Sequence, residues 1–310
     1  MNDPAAGKVS DGRPAGTPLQ RTRIMDEASF TQRITSVFDA RTNYDEQAPS
    51  WHLPLAEELV RLAALKKGAS VLDVATGTGL VGELAAQAVG STGSVLGIDI
   101  SEGMLAQAAP KAAAHPHVLS FRLGDAQTAA FPPGSFDAVL CSNALVYMAD
   151  VAAALQRWAV WLRPGGILCF NTPQAPFFRS TEVFLHAAEA QGLLLEDVTQ
   201  VVGSVHSVRS VLQAAGFLEA DIQVRGRPAQ EFPDINVATY SFASPEEYAA
   251  RLWSTHVRFY PVESALKPKA LAAMRAEWEE GALQQAQRLR QADGRIVDSP
   301  TMLWVRATKR

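Results

Sequence analysis

The most constraining segment of this chain runs from Val71 to Gly79 and reads VLDVATGTG. Asp99 follows twenty residues after Gly79, at the end of a second apolar run. This order predicts a buried strand, a tight glycine turn, the start of a helix, a second strand and a carboxylate at that strand's end. In an α/β sheet, it places backbone N–H groups and an acid together at the carboxyl edge of parallel strands, where nucleoside-containing ligands bind. The sequence therefore predicts a nucleoside cofactor.

Two classes of nucleoside cofactor fit this arrangement. The spacing Gly77-x-Gly79-x-x-Gly82 satisfies the dinucleotide fingerprint, which is a weak signal by itself. Asp73 favours S-adenosylmethionine, because a carboxylate at the glycine turn can hold an ammonium group but repels a pyrophosphate. Asp99 suits both classes, since both carry a ribose diol that can donate to a carboxylate. The chain has no Tyr-x-x-x-Lys proton relay, and a nicotinamide-dependent oxidoreductase is the remote alternative.

Short apolar runs alternate with helical patterns through the middle of the chain. Runs such as Ala138-Val139-Leu140 lack the alternation of a half-exposed strand, as expected for parallel strands covered on both faces. The fold class predicted is α/β, with a doubly wound, mostly parallel sheet built from right-handed βαβ units. Strands are expected at about residues 70–75, 94–99, 117–123, 136–142, 166–172, 220–224 and 302–307.

Three further motifs follow Asp99 in order: Gly124-Asp125-Ala126, then SFDAVLCSNAL from Ser135, then LRPGGIL from Leu162. With these motifs and the glycine turn, the chain resembles the class I S-adenosylmethionine-dependent methyltransferases, nearest the small-molecule group of quinone biosynthesis. The resemblance covers about residues 69 to 172. It implies a Rossmann-like methyltransferase fold: a seven-stranded sheet with N-terminal helices and a helical cap insertion, whose seventh strand runs antiparallel between the fifth and the sixth.

The resemblance also implies cofactor contacts. In the family, the glycine turn holds the methionine end of S-adenosylmethionine, and Tyr44 is expected to cover that end. The acid after the second strand takes the ribose hydroxyls, residues beside it and after the third strand surround the adenine, and residues after the fourth strand border the sulfonium. Many members have glycine at the position of Ala75, and we expect the added methyl group to be tolerated. In chain order, the implied contacts are Tyr44, Asp73, Ala75, Gly77, Gly79, Asp99, Ile100, Met104, Asp125, Ala126, Ser142 and Asn143.

Helical patterns between about residues 27 and 67 are expected to form one wall of the substrate pocket. Trp51 or His52 is expected to face the substrate. The alternatives are a core anchor for Trp51 and a helix-capping group for His52. Asn143 and Tyr147, just past the fourth strand, are also expected in the substrate pocket, and packing beneath the cap is the alternative for Tyr147.

The reaction implied is a direct displacement, in which O, N or C of a small-molecule acceptor attacks the sulfonium methyl group. Alignment of two bound reactants can supply about 7–11 kcal/mol of barrier reduction, whereas a general base adds about 10²–10⁴-fold. A dedicated base is therefore not required. His52, His206 and His256 are the candidate bases, with a structural or exposed position as the alternative for each. A protein of the same fold that binds S-adenosylmethionine without methylating, or as a structural subunit, is the second hypothesis.

The pattern along the chain predicts several regions. Residues 1–25 are rich in Gly, Pro, Asp and Arg and are expected to form a disordered leader, with a transit peptide as the alternative. Residues 26–68 are expected to form N-terminal helices. The core is expected at 69–227 and 299–310, with a helical insertion at about 174–205. A helical cap at 228–298 is expected to cover the carboxyl edge, exclude water and set substrate choice.

Composition narrows the range of partners. The net charge of −4 gives no general electrostatic reason to approach nucleic acid, and no apolar stretch reaches the roughly 18 residues of a membrane span. No His, Asp and Glu residues cluster near the expected site at the spacing of metal ligands, so we expect no metal. Cys141 and Cys169 lie in apolar runs and are expected to be reduced core thiols. We expect a small aromatic or polyketide-like acceptor, a cytoplasmic location and a monomer or homodimer.

Overall fold

A seven-stranded sheet organises the part of the chain that the computed structural model describes, which comprises residues 27–47, 49–195, 197–228, 241–298 and 300–310. Two short strands, β7 (Ser241–Phe242) and β8 (Ile296–Val297), pair with each other outside this sheet. The strands of the large sheet are β1 (Ser70–Val74), β2 (Ser94–Asp99), β3 (Leu119–Leu123), β4 (Phe136–Ser142), β5 (Leu162–Pro173), β6 (Ile222–Pro228) and β9 (Thr301–Thr308).

The strand order of the large sheet is β3-β2-β1-β4-β5-β9-β6. Strands β1 to β5 pair in parallel, and β9 is antiparallel to both β5 and β6. The predicted doubly wound sheet, with its last strand inserted antiparallel between the fifth and the sixth, is therefore confirmed. The register sets Asp73 opposite Gly97 on β2 and Leu140 on β4, so the ends of three neighbouring strands meet at one edge.

Helices cover both faces of the sheet and the edge at which its parallel strands end. Helices α1 (Glu27–Asp39), α2 (Tyr44–Gln47) and α3 (Pro49–Ala63) precede β1. Four helices belong to the alternating α/β core: α4 (Leu80–Val89), α5 (Glu102–Ala114), α6 (Val151–Trp161) and α8 (Val205–Ala214). Four others make up the helical cap: α7 (Ser180–Ala190), α9 (Pro245–Phe259), α10 (Val262–Ala265) and α11 (Pro268–Arg288).

The hydrophobic core lies on both faces of the sheet because the parallel strands are apolar throughout. Leu72 and Val74 point to one face, where the indole of Trp158 is also fully buried. Val71 points to the other face and packs with α3 and α4, including Leu59. Each fully buried side chain of this size contributes about 1.5–3 kcal/mol relative to an exposed one. This two-sided burial fixes the positions at which β1, β2 and β4 end.

The cap has its own core and is attached to the N-terminal helices. Phe184 of α7 packs in one cluster with Trp253 of α9 and Trp278 of α11, so the two predicted insertions share one core. The guanidinium of Arg33 on α1 donates to the carbonyl oxygen of Val257, at 2.6 Å, near the end of α9. The cap and α1 are therefore joined over the carboxyl edge of the sheet.

The predicted leader, residues 1–25, lies outside the described residues, as do residues 229–240 of the predicted cap. In the described part of the chain, none of the helices combines the length and the apolar character that crossing a membrane requires.

Candidate functional site

The glycine turn after β1 opens into a cavity at the carboxyl edge of the sheet. Gly77 has a φ of +57°, and no heavy atom lies within 4 Å of the position that a Cβ would take. Gly79 has a φ of +82°, and a Cβ there would stand 2.5 Å from Cζ of Phe121. Gly77 and Ala75 line the cavity, whereas Gly79 shapes the turn behind it. Ala75 has a φ of +51°, in the left-handed region that favours glycine, so its extra methyl group is accommodated with backbone strain.

Asp73 lies at the base of this cavity and is almost fully buried. The hydroxyl of Thr76 donates to Oδ2 of Asp73 at 2.5 Å. Burial raises the pKa of Asp73 to about 7, the Thr76 hydrogen bond opposes this rise, and the nearby charge of Asp99 adds to it. The Asp73 carboxyl group therefore titrates near neutral pH and would gain from a cationic ligand group.

Asp99 lies across the cavity from Asp73, at the end of β2. Oδ2 of Asp99 accepts from the backbone N–H of Gly77 at 2.8 Å, and Oδ1 accepts from the N–H of Ser101 at 2.9 Å. Burial raises the pKa of Asp99, and these backbone hydrogen bonds oppose that rise. Because a carboxylate offers about four acceptor sites, Asp99 can still accept from a ligand diol.

The far end of the cavity is lined by residues that follow β2 and β3. Oδ1 of Asp125 accepts from the backbone N–H of Gln127 at 2.8 Å, which orders the turn after β3. The indole N–H of the buried Trp158 donates to the carbonyl oxygen of Ala126 at 2.9 Å. The lining here comprises Ile100, Met104, Gly124, Asp125, Ala126 and Gln127.

The end of β4 is held by a buried amide on the neighbouring strand. Asn143 has a φ of +52°, and its N–H donates to Oδ1 of Asn171 at 2.7 Å. Nδ2 of Asn171 donates to Oγ of Ser142 at 3.3 Å and to the carbonyl oxygen of Leu55 at 3.4 Å. Ser142 and Asn143 both line the cavity. Asn171 therefore positions this segment relative to α3 without lining the cavity itself.

An aromatic wall, defined as Phe38, Tyr44, His52 and Tyr147, closes the cavity opposite the glycine turn. The rings of Phe38 and Tyr147 meet edge to face, with 5.5 Å between their centroids. Phe259 of the cap stacks on the outer face of Tyr147 at 5.2 Å. Tyr147 thus combines the predicted pocket position with the alternative role of packing beneath the cap.

His52 is paired with Tyr44 within this wall. Their rings stack with 4.5 Å between centroids, and the Tyr44 hydroxyl lies 3.0 Å from Nε2 of His52. Nδ1 of His52 is buried and has no hydrogen-bond partner among the described residues. Burial, aided by the positive charge of Arg41, lowers the pKa of His52 to about 4. The imidazole is therefore neutral at physiological pH.

Side-chain bridges hold α2 against the core. Oε1 of Gln107, on α5, accepts from the backbone N–H of Tyr44 at 2.9 Å. Asp45 accepts from Nζ of Lys111, also on α5, at 2.8 Å, and from the hydroxyl of Thr78 in the glycine turn. These contacts fix the aromatic wall relative to both ends of the cavity.

Comparison with known proteins assigns this chain to a family. A family profile described as a methyltransferase domain matches residues 71–166. Aklanonic acid methyltransferase from Streptomyces sp. is 34% identical over 151 residues, which cover 48% of this chain and 69% of that protein. This chain belongs to the S-adenosylmethionine-dependent methyltransferases.

Two more relatives match a similar share of this methyltransferase but a smaller share of their own length. Nocamycin O-methyltransferase from Saccharothrix syringae is 39% identical over 142 residues, covering 45% of this chain and 51% of that protein. Demethylmenaquinone methyltransferase from Symbiobacterium thermophilum is 33% identical over 159 residues, covering 48% and 62%. The methyltransferase thus spans less than two thirds of the length of these two relatives.

A solved structure supports the fold. Phosphoethanolamine N-methyltransferase 2 from Haemonchus contortus, in complex with S-adenosyl-L-methionine, superposes on the methyltransferase with a TM-score of 0.55. The superposition covers 89% of this chain and 60% of that chain at 16% identity, so it supports the fold alone.

The cavity suits S-adenosylmethionine. The space beside Gly77 is open, and Asp73 is a buried carboxyl group with no ion-pair partner among the described residues. In the methyltransferase, Asp73 would hold the ammonium group and Asp99 the ribose hydroxyls. The residues at the far end of the cavity would surround the adenine. These assignments follow the contacts that the sequence predicts, except that Gly79 does not line the cavity, and they remain proposals for each residue.

Two predicted residues are not part of this geometry. His256 lies in the cap, where its ring stacks on Phe184 at 4.7 Å and its Nε2 lies 3.3 Å from Oγ of Ser180. Burial lowers the pKa of His256 to about 3. It does not line the cavity, so its position does not support a role as a base. The side chain of Trp51 lies outside the described residues, and its role remains a prediction.

Several lining or supporting residues of the methyltransferase were missed from the sequence. Phe38 lies within the helical pattern of residues 27–67, which does not show which of its apolar residues reaches the cavity. Gln127 follows directly after the Gly-Asp-Ala motif. Asn171 is the supporting residue that the sequence signals most clearly, because an amide inside the apolar run of β5 must find hydrogen-bond partners.

Proposed function

We propose that this methyltransferase methylates an oxygen atom of a small aromatic or polyketide-like acceptor bound against the aromatic wall. The observation that carries this proposal is the continuity of one cavity from Asp73 and Gly77 to the rings of Phe38, Tyr44 and Tyr147. Aromatic pairs contribute about 0.5–1.5 kcal/mol beyond the area that they bury. The relatives named for nocamycin O-methylation, aklanonic acid and demethylmenaquinone support an acceptor of this kind.

S-adenosylmethionine, when bound, supplies a methyl group on a positively charged sulfur. An oxygen nucleophile bonds to the methyl carbon as the carbon–sulfur bond breaks, which leaves S-adenosylhomocysteine. The chain contributes the alignment of the acceptor with the methyl group, which can lower the barrier by about 7–11 kcal/mol. Ser142, Asn143 and Tyr147 border the cavity on the side of β4. Phe38, Tyr44 and His52 of the aromatic wall border it on the side of α1 to α3. A flat acceptor between these two sides would present its hydroxyl group toward the glycine turn.

The pair of Tyr44 and His52 is proposed to orient the acceptor oxygen. With its pKa lowered to about 4, His52 is a weak base, and its role in this proposal is to position the Tyr44 hydroxyl through the 3.0 Å hydrogen bond. The Tyr44 hydroxyl then meets the acceptor oxygen. This assigns the predicted catalytic His52 to positioning. The hydroxyl group of the acceptor loses its proton to water by its own acidity.

Formation of S-adenosylhomocysteine from a panel of hydroxylated aromatic acceptors tests the proposal. We expect turnover with at least one acceptor, an O-methyl product by NMR, and a loss of about tenfold in kcat for Tyr44→Phe. His52→Gln retains a hydrogen-bonding group and is expected to lose less. His186→Gln, at an exposed histidine of α7, is the matched control.

Three results would contradict parts of this proposal. Methylation at nitrogen or carbon would overturn the acceptor chemistry. Binding of S-adenosylhomocysteine without turnover of any acceptor would favour the alternative of a non-methylating protein of the same fold. If only His52→Gln loses activity, and the pH dependence of kcat in wild type disappears in that variant, His52 would be the base after all.

We also propose a cytoplasmic location and a monomeric or homodimeric state. Light scattering coupled to size-exclusion chromatography measures the oligomeric state, and a trimer or larger assembly would contradict it. Cell fractionation measures the location, and recovery with membranes would contradict it.

A further inference from the structure

A second cavity adjoins the aromatic wall and shares Tyr44 and His52 with the cofactor cavity. Arg41, which follows α1, and Arg258, in the last turn of α9, both line it. One cavity thus contains two cationic side chains from distant parts of the chain, one from the N-terminal helices and one from the cap. Their proximity is costly in the absence of an anion, because like charges in one cavity repel each other.

Neither guanidinium forms an ion pair among the described residues. Asp39 and Asp45 are the carboxylates nearest in sequence to Arg41, and both are already engaged. Asp39 accepts from the Ser101 hydroxyl and the Gly103 N–H, and Asp45 accepts from Lys111 and Thr78. The guanidinium of Arg41 lies over the ring of Phe38, 5.0 Å from its centroid. Arg251, about two turns earlier on α9, is by contrast paired with Glu247 at 3.2 Å.

Hydrogen bonds fix the backbone segments that carry the two arginines. Arg33 donates to the carbonyl oxygens of Val257 and Arg258, at 2.6 and 2.9 Å, and so fixes the end of α9. Nε2 of Gln107 donates to the carbonyl oxygen of Arg41 at 2.8 Å. Arg258 keeps contact with solvent, yet burial of its inner part and the charge of Arg41 lower its pKa. The repulsion is thus built into the folded chain.

We propose that Arg41 and Arg258 together bind a carboxylate group of the methyl acceptor. A planar guanidinium matches the two oxygens of a carboxylate, and two guanidinium groups can share its charge. Tyr44 and His52 contact both cavities, whereas the glycine turn, Asp73 and Asp99 do not line the second one. The carboxylate therefore belongs to the acceptor rather than to the methionine end of the cofactor. This inference rests on the proposed function, because it requires an acceptor on the aromatic wall.

Binding measurements on the full chain test this inference. The probes are a panel of hydroxylated aromatic carboxylates, such as hydroxynaphthoate and hydroxybenzoate, each paired with its neutral methyl ester. With saturating S-adenosylhomocysteine, we expect at least one carboxylate to bind about tenfold or more tightly than its ester. Arg41→Gln and Arg258→Gln should each reduce the affinity for that carboxylate to about the level of the ester. The affinity for the ester should stay unchanged.

Three controls distinguish carboxylate binding from effects on the cofactor or on folding. Arg251→Gln removes a paired arginine from the same helix and should leave carboxylate binding unchanged. The affinity for S-adenosylhomocysteine should be the same in wild type, Arg41→Gln and Arg258→Gln. The thermal midpoint of ligand-free Arg258→Gln should equal or exceed that of wild type, because removing one of two cations that line the same cavity relieves repulsion. Arg41→Gln also loses the contact with the Phe38 ring and is left out of this comparison.

The inference is overturned if no carboxylate in the panel binds more tightly than its ester, or if the two variants keep the preference. It is also overturned if the variants weaken the binding of S-adenosylhomocysteine instead, since the pair would then serve the cofactor. A lower thermal midpoint of Arg258→Gln would overturn it as well, since Arg258 would then be structural. Failure of the proposed function is distinguishable, because it appears as absent S-adenosylhomocysteine binding or turnover in wild type.

Discussion

The carboxylate of Asp99 accepts a hydrogen bond from the backbone N–H of Gly77, with 2.8 Å between the two atoms. This bond links the end of β2 to the glycine turn after β1, and a second bond from Ser101 links it to the start of α5. The acid and the turn are thus fixed relative to each other before any ligand binds. Such preorganisation lowers the ordering cost of binding.

The affinity for S-adenosylhomocysteine is expected to rise with pH through neutrality. Burial raises the pKa of Asp73 to about 7, so its carboxyl group is mostly neutral at lower pH and ionised at higher pH. Only the ionised form attracts the ligand's ammonium group. Between about pH 6 and about pH 8, the association constant should increase roughly fivefold to tenfold. Calorimetric titration across this range measures it, with Asp73→Asn as the variant that should bind weakly and show a flat profile. A flat profile in wild type would contradict this role.

Ala75→Gly is expected to preserve or raise the free energy of unfolding. The φ of +51° strains an alanine by about 1 kcal/mol or more, and the greater freedom of glycine in the unfolded chain offsets part of that gain. Ala113→Gly, on the exposed face of α5, is the matched control and should lose about 1 kcal/mol. Urea denaturation measures both variants. An equal loss in the two variants would show that Ala75 carries no strain.

Asn171→Leu is expected to lower both stability and turnover. The substitution removes the nearer of two acceptors of the Asn143 N–H, leaving the backbone carbonyl oxygen of residue 171 at 3.3 Å, and it takes the side-chain partner from Ser142, at a cost of about 1–3 kcal/mol. The thermal midpoint should fall, and kcat should fall further than stability alone explains, because Ser142 and Asn143 shift at the cavity. Gln284→Leu, at an exposed amide of α11, should change neither quantity. Unchanged kcat in Asn171→Leu would show that the amide only supports packing.

His256 is expected to make the protein less stable in acid. Its folded pKa of about 3 lies below the unfolded value of 6.5, so only the unfolded chain takes up a proton between these values. Its contribution is complete above about pH 6.5 and is lost as the pH falls toward 3. Between about pH 7 and pH 5, wild type should lose about 1–2 kcal/mol more than His256→Gln. Urea midpoints at both pH values measure the difference, and parallel losses would contradict it.

Much of the fold was predictable because its signals are local. The glycine turn, Asp99 and the buried runs of β1, β2 and β4 each follow from a few neighbouring residues, and their parallel order brings them to one edge. The start of β5 at Leu162, rather than near residue 166, depends on a register shift against β4 between Phe136 and Ala138. The residue pattern within one strand does not show how that strand pairs with its neighbour.

The remainder of the site depends on packing between distant segments. Arg41 and Arg258 are separated by more than two hundred residues, and only the contact between α1 and α9 brings them to one cavity. His256 was a candidate base in the sequence, yet its ring belongs to the aromatic core that α7, α9 and α11 share. No periodicity distinguishes a histidine in such a core from one that faces a ligand.

The central claim is a cofactor site for S-adenosylmethionine built around Asp99, and calorimetric titration with S-adenosylhomocysteine tests it most directly. Wild type should bind S-adenosylhomocysteine and not NADH. Asp99→Ala should weaken binding by about tenfold or more, since a hydrogen bond to a charged group contributes about 1.5–3 kcal/mol. Asp99→Asn and thermal midpoints serve as controls for folding, because this side chain also bonds Gly77 and Ser101. Absence of S-adenosylhomocysteine binding in folded wild type, preference for NADH, or unchanged binding in folded Asp99→Ala would contradict the account.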